Sequence, residues 1–296
     1  MPKSRNKRKK LKQGAKQKRS TAFAAAPPPP KVPTESLFHL MGLGSTGQTD
    51  EEREAQELIY GAWELADPQA RIRSAQHALG LWPDCADAWV ILAEDKAATL
   101  DKVREFYAAG MAAGERSLGQ DAFTDDVGHF WGILETRPYM RARQGLARAL
   151  IDMGQIDEAA EHLNDMLRLN PGDNQGIRYV LLHLLLDQSR HDDAAHLINE
   201  YADDVMAEWV YSRALLTFRQ EGPSGMAAGQ LAAALSRNEF VPAYLLGRRR
   251  LPKQLPPTIS LGGKDEAIAY AADYKTLWQQ TPGALDWLKS NKAKNQ

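Results

Sequence analysis

Apolar residues in the middle of the chain recur at helical spacing, and the pattern itself repeats. Leu146, Ala147 and Leu150 form one apolar stripe. Gly154 predicts the end of that helix. The Asp-Glu-Ala-Ala sequence at residues 157–160 predicts the start of a second helix, and Pro171 predicts where this second helix ends. Five sets of residues align at a spacing of 34: Leu150/Leu184/Phe218, Gly154/Gln188/Gly222, Ala160/Ala194/Ala228, Leu163/Leu197/Leu231 and Leu167/Tyr201/Leu235. The repeat predicts helix pairs that stack on one another.

A spacing of 34 residues is that of the tetratricopeptide repeat. We therefore predict an all-α fold, an α-solenoid of tetratricopeptide-type helix pairs with a disordered basic N-terminal tail. Thr49 and Glu52 predict a capping box for the first helix. The predicted parts are a basic tail and proline linker (1–34), N-terminal helices with two divergent repeats (35–119), an insertion (120–139), three tetratricopeptide repeats (140–241) and C-terminal capping helices (242–290).

Charge is distributed unevenly along the chain. Residues 1–34 hold eleven Lys and Arg and no acid, which leaves 26 basic against 38 acidic residues and a net charge of −12 for the remainder. The arm is too polar to bury a core, so we expect disorder. It could contact RNA, ribosome or DNA phosphates through Lys7, Arg8, Lys9, Lys10 and Lys12. Alternatively, it could only solubilise the protein or fold back weakly on the acidic body. Residues 1–20 contain no aromatic side chain, so any such contact would be nonspecific and salt-sensitive.

Catalytic and cofactor signals are weak. Gly42, Gly44 and Gly47 match the GxGxxG pattern. A dinucleotide site also requires a preceding strand in an α/β unit, but residues 35–41 are a weak strand candidate and the rest of the chain is predicted to be helical. The seven histidines show no metal-ligand spacing, and Cys85 is the single cysteine. We expect no metal, no cofactor and no enzymatic activity. The cysteine count favours a reducing, cytoplasmic compartment, and no apolar run approaches the ~20 residues of a membrane-spanning helix.

Four stretches resemble known proteins. They are GHFWGILETRPYMRAR (128–143), LNPGDNQGIRYVLL (169–182), VPAYLLG (241–247) and DEAIAYA (265–271). Together they look like a bacterial group of tetratricopeptide proteins, and the C-terminal part is similar to the eukaryotic suppression-of-tumorigenicity family. The resemblance covers roughly the last 170 residues and supports the fold; neither group implies a known enzymatic activity. The membrane segments of the eukaryotic family are absent here, so its membrane association is not transferred.

Tetratricopeptide proteins bind extended peptides with first-helix residues at about positions 2, 5, 9 and 12 of each repeat. With repeats starting at Met140, Asn174 and Glu208, the predicted groove residues are Arg141, Gln144, Arg148, Gln175, Arg178, Ser212 and Arg219. Four arginines on an acidic body suggest a groove that selects acidic segments or a C-terminal carboxylate. The alternative is that acids such as Asp152 or Asp187 already pair with them.

The nearby insertion is rich in aromatic residues and arginines between 131 and 143. Its aromatics either seal the join between two stacks of helices or border the ligand groove. The resulting hypothesis is a non-enzymatic adaptor or scaffold that binds a protein or peptide partner, for which an acidic segment is one option. The alternative is a ribosome- or RNA-associated factor that uses the basic arm.

Overall fold

The computed structural model describes residues 49–294, and the regular structure in that range is entirely helical. The α-helices are α1 (Asp50–Glu64), α2 (Pro68–Leu81), α3 (Ala86–Ile91), α4 (Leu100–Asp125), α5 (Arg137–Asp152), α6 (Ile156–Leu169), α7 (Ile177–Asp187), α8 (His191–Glu200), α9 (Ala207–Glu221), α10 (Gly225–Arg237), α11 (Val241–Leu245), α12 (Lys264–Gln280) and α13 (Ala284–Lys294). A π-helical turn, Leu92–Lys96, continues α3, and a 3-10 turn, Phe130–Gly132, precedes α5. The predicted all-α class is confirmed for this range.

Helix starts follow the capping chemistry of the sequence. Thr49 Oγ1 accepts a hydrogen bond from the Glu52 backbone N–H at 3.2 Å, and Glu52 Oε2 accepts one from the Thr49 N–H at 3.1 Å. This reciprocal pair satisfies two orphan donors at the start of α1 and confirms the predicted capping box. Asp67 caps α2 by accepting from two backbone N–H groups, with Pro68 as the first helical residue.

The repeated pattern reappears in the burial of α6, α8 and α10. The aligned leucines are all buried: Leu163, Leu197 and Leu231. Ala160 and Ala194 are buried as well, whereas in α10 Ala227 takes the buried place and Ala228 is partly exposed. Small side chains at these places allow the paired helices to approach closely, because each larger residue would need space that the core lacks.

The expected insertion at residues 120–139 stays mostly at the surface but contributes aromatic side chains to the core. Helix α4 runs on to Asp125 after a kink at Gly119, where φ is 74°. Phe130 and Tyr139 are buried, and the ring of Phe123 lies 5.3 Å from that of Phe130 and 5.0 Å from that of Tyr139. These contacts favour the interpretation in which the aromatics seal the join between successive helix pairs.

Two hydrophobic clusters make up the core of the described residues. The smaller one belongs to α1–α3 and includes Ile59 and Ile91; the larger one extends from α5 to α13. Helices α4 and α5 join them at short range, since a Cβ added to Gly145 would lie 2.1 Å from the ring of Tyr107. The contact requires glycine, because any side chain would displace an aromatic ring.

Helix α12 packs against α7 and α9, the first helices of two successive pairs. Its residues Tyr270, Tyr274 and Trp278 are at most 2% exposed. Tyr274 Oη donates a hydrogen bond to the Tyr179 carbonyl oxygen of α7 at 3.4 Å, and His183 Nε2 lies 3.2 Å from the Asp273 carbonyl oxygen. The C-terminal segment is thus part of the main core and covers α7 and α9.

The tight packing at α6 generates a first prediction. Ala160→Trp should lower the free energy of unfolding by roughly 1–3 kcal/mol or more, because a large ring at this buried position forces strain. Chemical denaturation followed by circular dichroism measures the change. Glu161→Trp, at the exposed neighbouring position of the same helix, is the matched control. Equal stability of the two variants would contradict the assignment of Ala160 to a close helix contact.

Candidate functional site

The predicted groove residues belong to α5, α7 and α9 and to the turn before α7. We call the side of the protein to which α3, α5, α7 and α9 contribute the first-helix surface. Arg141 on α5 is held by Asp87 of α3: Nη2 lies 2.6 Å from Oδ2 and Nε 2.8 Å from Oδ1. The guanidinium also lies 5.2 Å from the ring centre of Trp63. Asp87 is fully buried and the Arg141 side chain is 10% exposed. This ion pair ties α5 to α3 and leaves Arg141 little capacity for a ligand.

Arg178 on α7 is held in a comparable way. Its guanidinium lies 2.8 Å from Asp204 and 3.0 Å from Asp173, and it sits 4.4 Å from the ring centre of Tyr179. Asp173 also accepts hydrogen bonds from the backbone N–H groups of Ile177 and Arg178 at the start of α7. Both arginines are therefore paired with acids, as the alternative to an open groove proposed. The acids are Asp87, Asp173 and Asp204, however, and not the suggested Asp152 and Asp187.

Ser212 was wrongly assigned to an open groove. Its side chain is completely buried between α9 and α12, beside Tyr270 and Tyr274. The expectation assumed that the first-helix surface is open along its length. Helix α12 covers that surface at α7 and α9, so position 5 of this repeat faces the core instead of a ligand.

Two glutamines of the predicted set contact each other. Gln175 Nε2 donates a hydrogen bond to Gln144 Oε1 at 3.0 Å, which links α5 to the turn before α7. Arg219 near the end of α9 donates to three neutral oxygens: Thr281 Oγ1 at 2.9 Å, the Leu186 carbonyl at 2.6 Å and the Leu277 carbonyl at 3.3 Å. Arg219 therefore anchors α12 to α7 and α9.

Arg148 is the predicted groove arginine whose guanidinium donors are all unused by the described residues. Among residues 49–294 it has neither a hydrogen bond nor an ion pair, although Glu94, Asp152 and Tyr107 act on it electrostatically. Desolvation by the surrounding protein lowers the pKa of Arg148 and raises the pKa of Glu94, whose side chain nonetheless reaches solvent. A side chain that is both accessible and desolvated lies in a recess. This recess, where Arg148 and Glu94 act on each other electrostatically, is the candidate binding site.

Glu94 belongs to the π-helical turn that continues α3. Such turns are rare and occur frequently at functional sites. The turn places Glu94 toward Arg148, while its neighbour Asp95 forms an ion pair with Arg71 at 2.6 Å. Sequence reasoning missed Glu94, because a π-helical turn has no period that a helical pattern would reveal.

A second exposed feature is the basic loop, residues 246–263, between α11 and α12. It carries Arg248, Arg249, Arg250 and Lys253 and no acid. Three apolar side chains on it reach solvent: Leu255 is 37% exposed, Ile259 47% and Leu261 56%. The sequence contains a signal for this surface, since the stretch is basic and free of acids on an otherwise acidic body. The 34-residue repeat does not reveal it.

Buried carboxylates lie where the basic loop meets α9 and α12. Glu266 is 1% exposed and accepts hydrogen bonds from Ala207 N at 3.0 Å, Asn238 Nδ2 at 2.8 Å and Gly262 N at 2.8 Å. Glu208 has a buried Oε2 without a hydrogen-bond partner in the described part of the chain. Burial, together with Glu266 and Asp273, raises the pKa of Glu208 to about 7.

Other sequence features lie beyond this site. The basic arm, with Lys7, Arg8, Lys9, Lys10 and Lys12, and the glycine pattern at 42–47 both fall outside the described residues. Within residues 49–294, no three His, Cys, Asp or Glu side chains are grouped to hold a metal ion. No helix in the same range is both long and apolar enough to cross a membrane.

The described fold and site define an all-α protein of successive helix pairs with a polar recess on the first-helix surface. Comparison with known families is more specific. The chain belongs to the ST7 protein family, whose profile matches residues 45–294. The resemblance to the suppression-of-tumorigenicity family is thereby confirmed, and it extends well beyond the last 170 residues to which the sequence motifs assigned it.

Individual relatives are distant. Suppressor of tumorigenicity 7 protein-like from Gallus gallus is 29% identical over 266 residues, covering 82% of this chain and 48% of the relative. The human protein of the same name is 30% identical over 267 residues, covering 82% and 46%. Protein ST7 homolog from Drosophila melanogaster is 27% identical over 267 residues, covering 82% and 49%. The chain spans about half the length of the curated relatives it matches.

The half-buried Glu208, whose Oε2 is buried, generates a pH prediction. Its folded-state pKa of about 7 lies above the ordinary 4.5, so its contribution to stability is complete below pH 4.5 and is lost as the pH rises through about 7. Glu208→Gln stays neutral. We expect the variant to melt at a higher temperature than the wild type at alkaline pH, because its free energy of unfolding is higher by roughly 1–3 kcal/mol. This difference should shrink toward acidic pH.

Thermal melts across this pH range test the prediction. Glu200→Gln, an exposed position on α8, is the control and should show no such trend. A difference between Glu208→Gln and the wild type that stays constant with pH would show that the pKa of Glu208 is the same in the folded and unfolded protein.

Proposed function

We propose that this protein is a non-enzymatic adaptor, an α-solenoid of tetratricopeptide-type helix pairs that binds a protein or peptide partner on its first-helix surface. The aligned burial of Leu163, Leu197 and Leu231 supports the repeat. Buried ion pairs between first helices, such as Arg141 with Asp87, support a stack in fixed register. Its single cysteine is compatible with a reducing compartment, and we place the protein in the cytoplasm.

The observation that carries the proposal is the state of Arg148. Arg141 and Arg178 are neutralised by buried acids, and Arg219 is bound by carbonyl oxygens. Arg148 keeps its guanidinium donors in a recess where desolvation strengthens any charged contact. An acidic side chain of a partner fits this position, because a carboxylate accepts two parallel hydrogen bonds from a guanidinium.

The recess is also selective in charge. Glu94 and Asp152 act on Arg148 from the protein side, so a partner that brings only negative charge is repelled by both. A segment that presents one carboxylate to Arg148 and a donor to Glu94 satisfies both signs. We therefore propose a mixed-charge peptide segment as the partner's binding element.

An RNA- or ribosome-associated role remains the alternative proposal. It rests on the eleven Lys and Arg of residues 1–34 and gains support from the four bases of the basic loop, whose acid-free sequence offers a second positive surface. In that role the recess would be incidental, and binding would fall steeply with salt.

Quantitative affinity purification separates the two roles. The bait is the full chain, its Arg148→Glu variant or a form lacking residues 1–34, each with and without nuclease. An adaptor loses its partners in Arg148→Glu by about tenfold to a hundredfold, which is the loss of a charged hydrogen bond. It retains them without the tail.

Arg104→Glu is the matched control, since it makes the same charge change at an exposed position of α4. Recovery of the same proteins by Arg148→Glu and Arg104→Glu would contradict the adaptor site. Loss of all partners on nuclease treatment or tail removal would favour the RNA-associated role instead.

A further inference from the structure

A cavity of ≈ 510 Å³ opens where α7, α9 and α12 end and where α8 and α10 begin. It is distinct from the recess at Arg148, which lies on α5. Arg219, His191 and Asp187 supply polar groups to its lining, and Phe218, Pro223 and Pro282 supply apolar walls. Its volume falls in the range of roughly 300–1,000 Å³ typical of small-ligand pockets, and its lining is more polar than apolar.

The charge of Arg219 is not neutralised by a bonded acid. Its three hydrogen bonds all go to neutral oxygens, those of Thr281, Leu186 and Leu277. A guanidinium has five N–H donors, so two remain for a ligand. Desolvation lowers the pKa of Arg219, as is usual for a cation that the surrounding protein partly removes from water.

His191 adds a second unused group. Its Nε2 is buried without a hydrogen-bond partner among the described residues. The residue is also the first of α8, a helix whose start has no side-chain cap. The unpaired backbone N–H groups of such a start favour a negative ligand. Arg219, His191 and the start of α8 thus converge on one cavity from two helices.

The single acid in the lining limits the class of anion. Asp187 is exposed and accepts a hydrogen bond from Gln188 Nε2 at 3.0 Å. One arginine offset by one nearby carboxylate suits a monoanion, because a phosphate dianion would need more positive charge than the cavity offers. The walls formed by Phe218 and the two prolines favour an apolar group next to the anion.

We infer that this cavity binds a carboxylate attached to an apolar group, which Arg219 receives through its two remaining donors. A small aromatic or aliphatic acid and the C-terminal residue of a peptide share this chemistry. The site is independent of the adaptor function proposed for the recess at Arg148, since it lies on other helices and uses none of the same residues.

Nuclear magnetic resonance titration of the full chain tests the inference with two probes, 3-phenylpropionate and N-acetyl-Ala-Phe with a free C-terminus. Each is compared with its amide. We expect saturable shifts of the Gly222 and Thr281 amide signals with the acids and none with the amides. Tighter binding of the small acid or of the dipeptide identifies which source the cavity prefers, and either supports the inference.

Two variants make the test specific. Gln280→Trp places a ring at an exposed position on the cavity's rim and should weaken probe binding by at least about tenfold, with unchanged melting temperature. Arg219→Lys keeps the positive charge but loses the planar set of guanidinium donors, so it should also weaken probe binding. Gln279→Trp, the exposed neighbour outside the lining, is the control and should bind like the wild type.

Equal shifts with acid and amide, binding that survives Gln280→Trp, or no saturable shift at millimolar probe would each overturn the inference. Because none of these readouts involves a protein partner, their failure leaves the adaptor proposal untouched. Loss of partner recovery in Arg148→Glu, conversely, says nothing about the cavity.

Discussion

The packing of α12 on α7 and α9 decides what the rest of this structure can do. Tyr270, Tyr274 and Trp278 are buried there, with the Tyr270 and Tyr274 rings stacked at 4.7 Å between centres. Burial of three large aromatic side chains is a strong apolar contribution. It closes the first-helix surface over its C-terminal half, so Ser212 faces the core. The open part is left at α3 and α5, where Arg148 and the recess lie.

Ion pairs fix the register on which that packing depends. The ion pair between Arg141 and Asp87 links the larger hydrophobic cluster to the smaller, N-terminal one. The ion pairs of Arg178 with Asp173 and Asp204 fix the start of α7. Removing one partner of such a pair would leave an uncompensated buried charge, which is costly. We interpret these arginines as devices that specify how successive pairs stack. Among the four predicted groove arginines, that use of charge leaves Arg148 and Arg219 with donors to offer a ligand.

The sequence predicted local structure well and long-range contacts poorly, for physical reasons. The capping box of Thr49 and the buried leucines follow from local chemistry and helical period, so both were predictable. Asp87 lies 54 residues from Arg141, and their pairing exists only once α3 and α5 stack. The place of α12 was equally hidden, because the basic loop that precedes it carries no periodic pattern. The sequence therefore predicted the helices of the candidate site and Arg148, but not Glu94 and not how much of the first-helix surface is open.

Native-state hydrogen exchange of the full chain tests most directly whether α12 is an integral part of the core. If it is, the amides in the middle of α12, around Tyr274, exchange with the same opening free energy as those of α7 and α9, since the three helices unfold as one unit. Exchange of α12 at a clearly lower free energy, while α7 and α9 stay protected, would contradict the account. In that case α12 would open separately and expose a longer first-helix surface to partners.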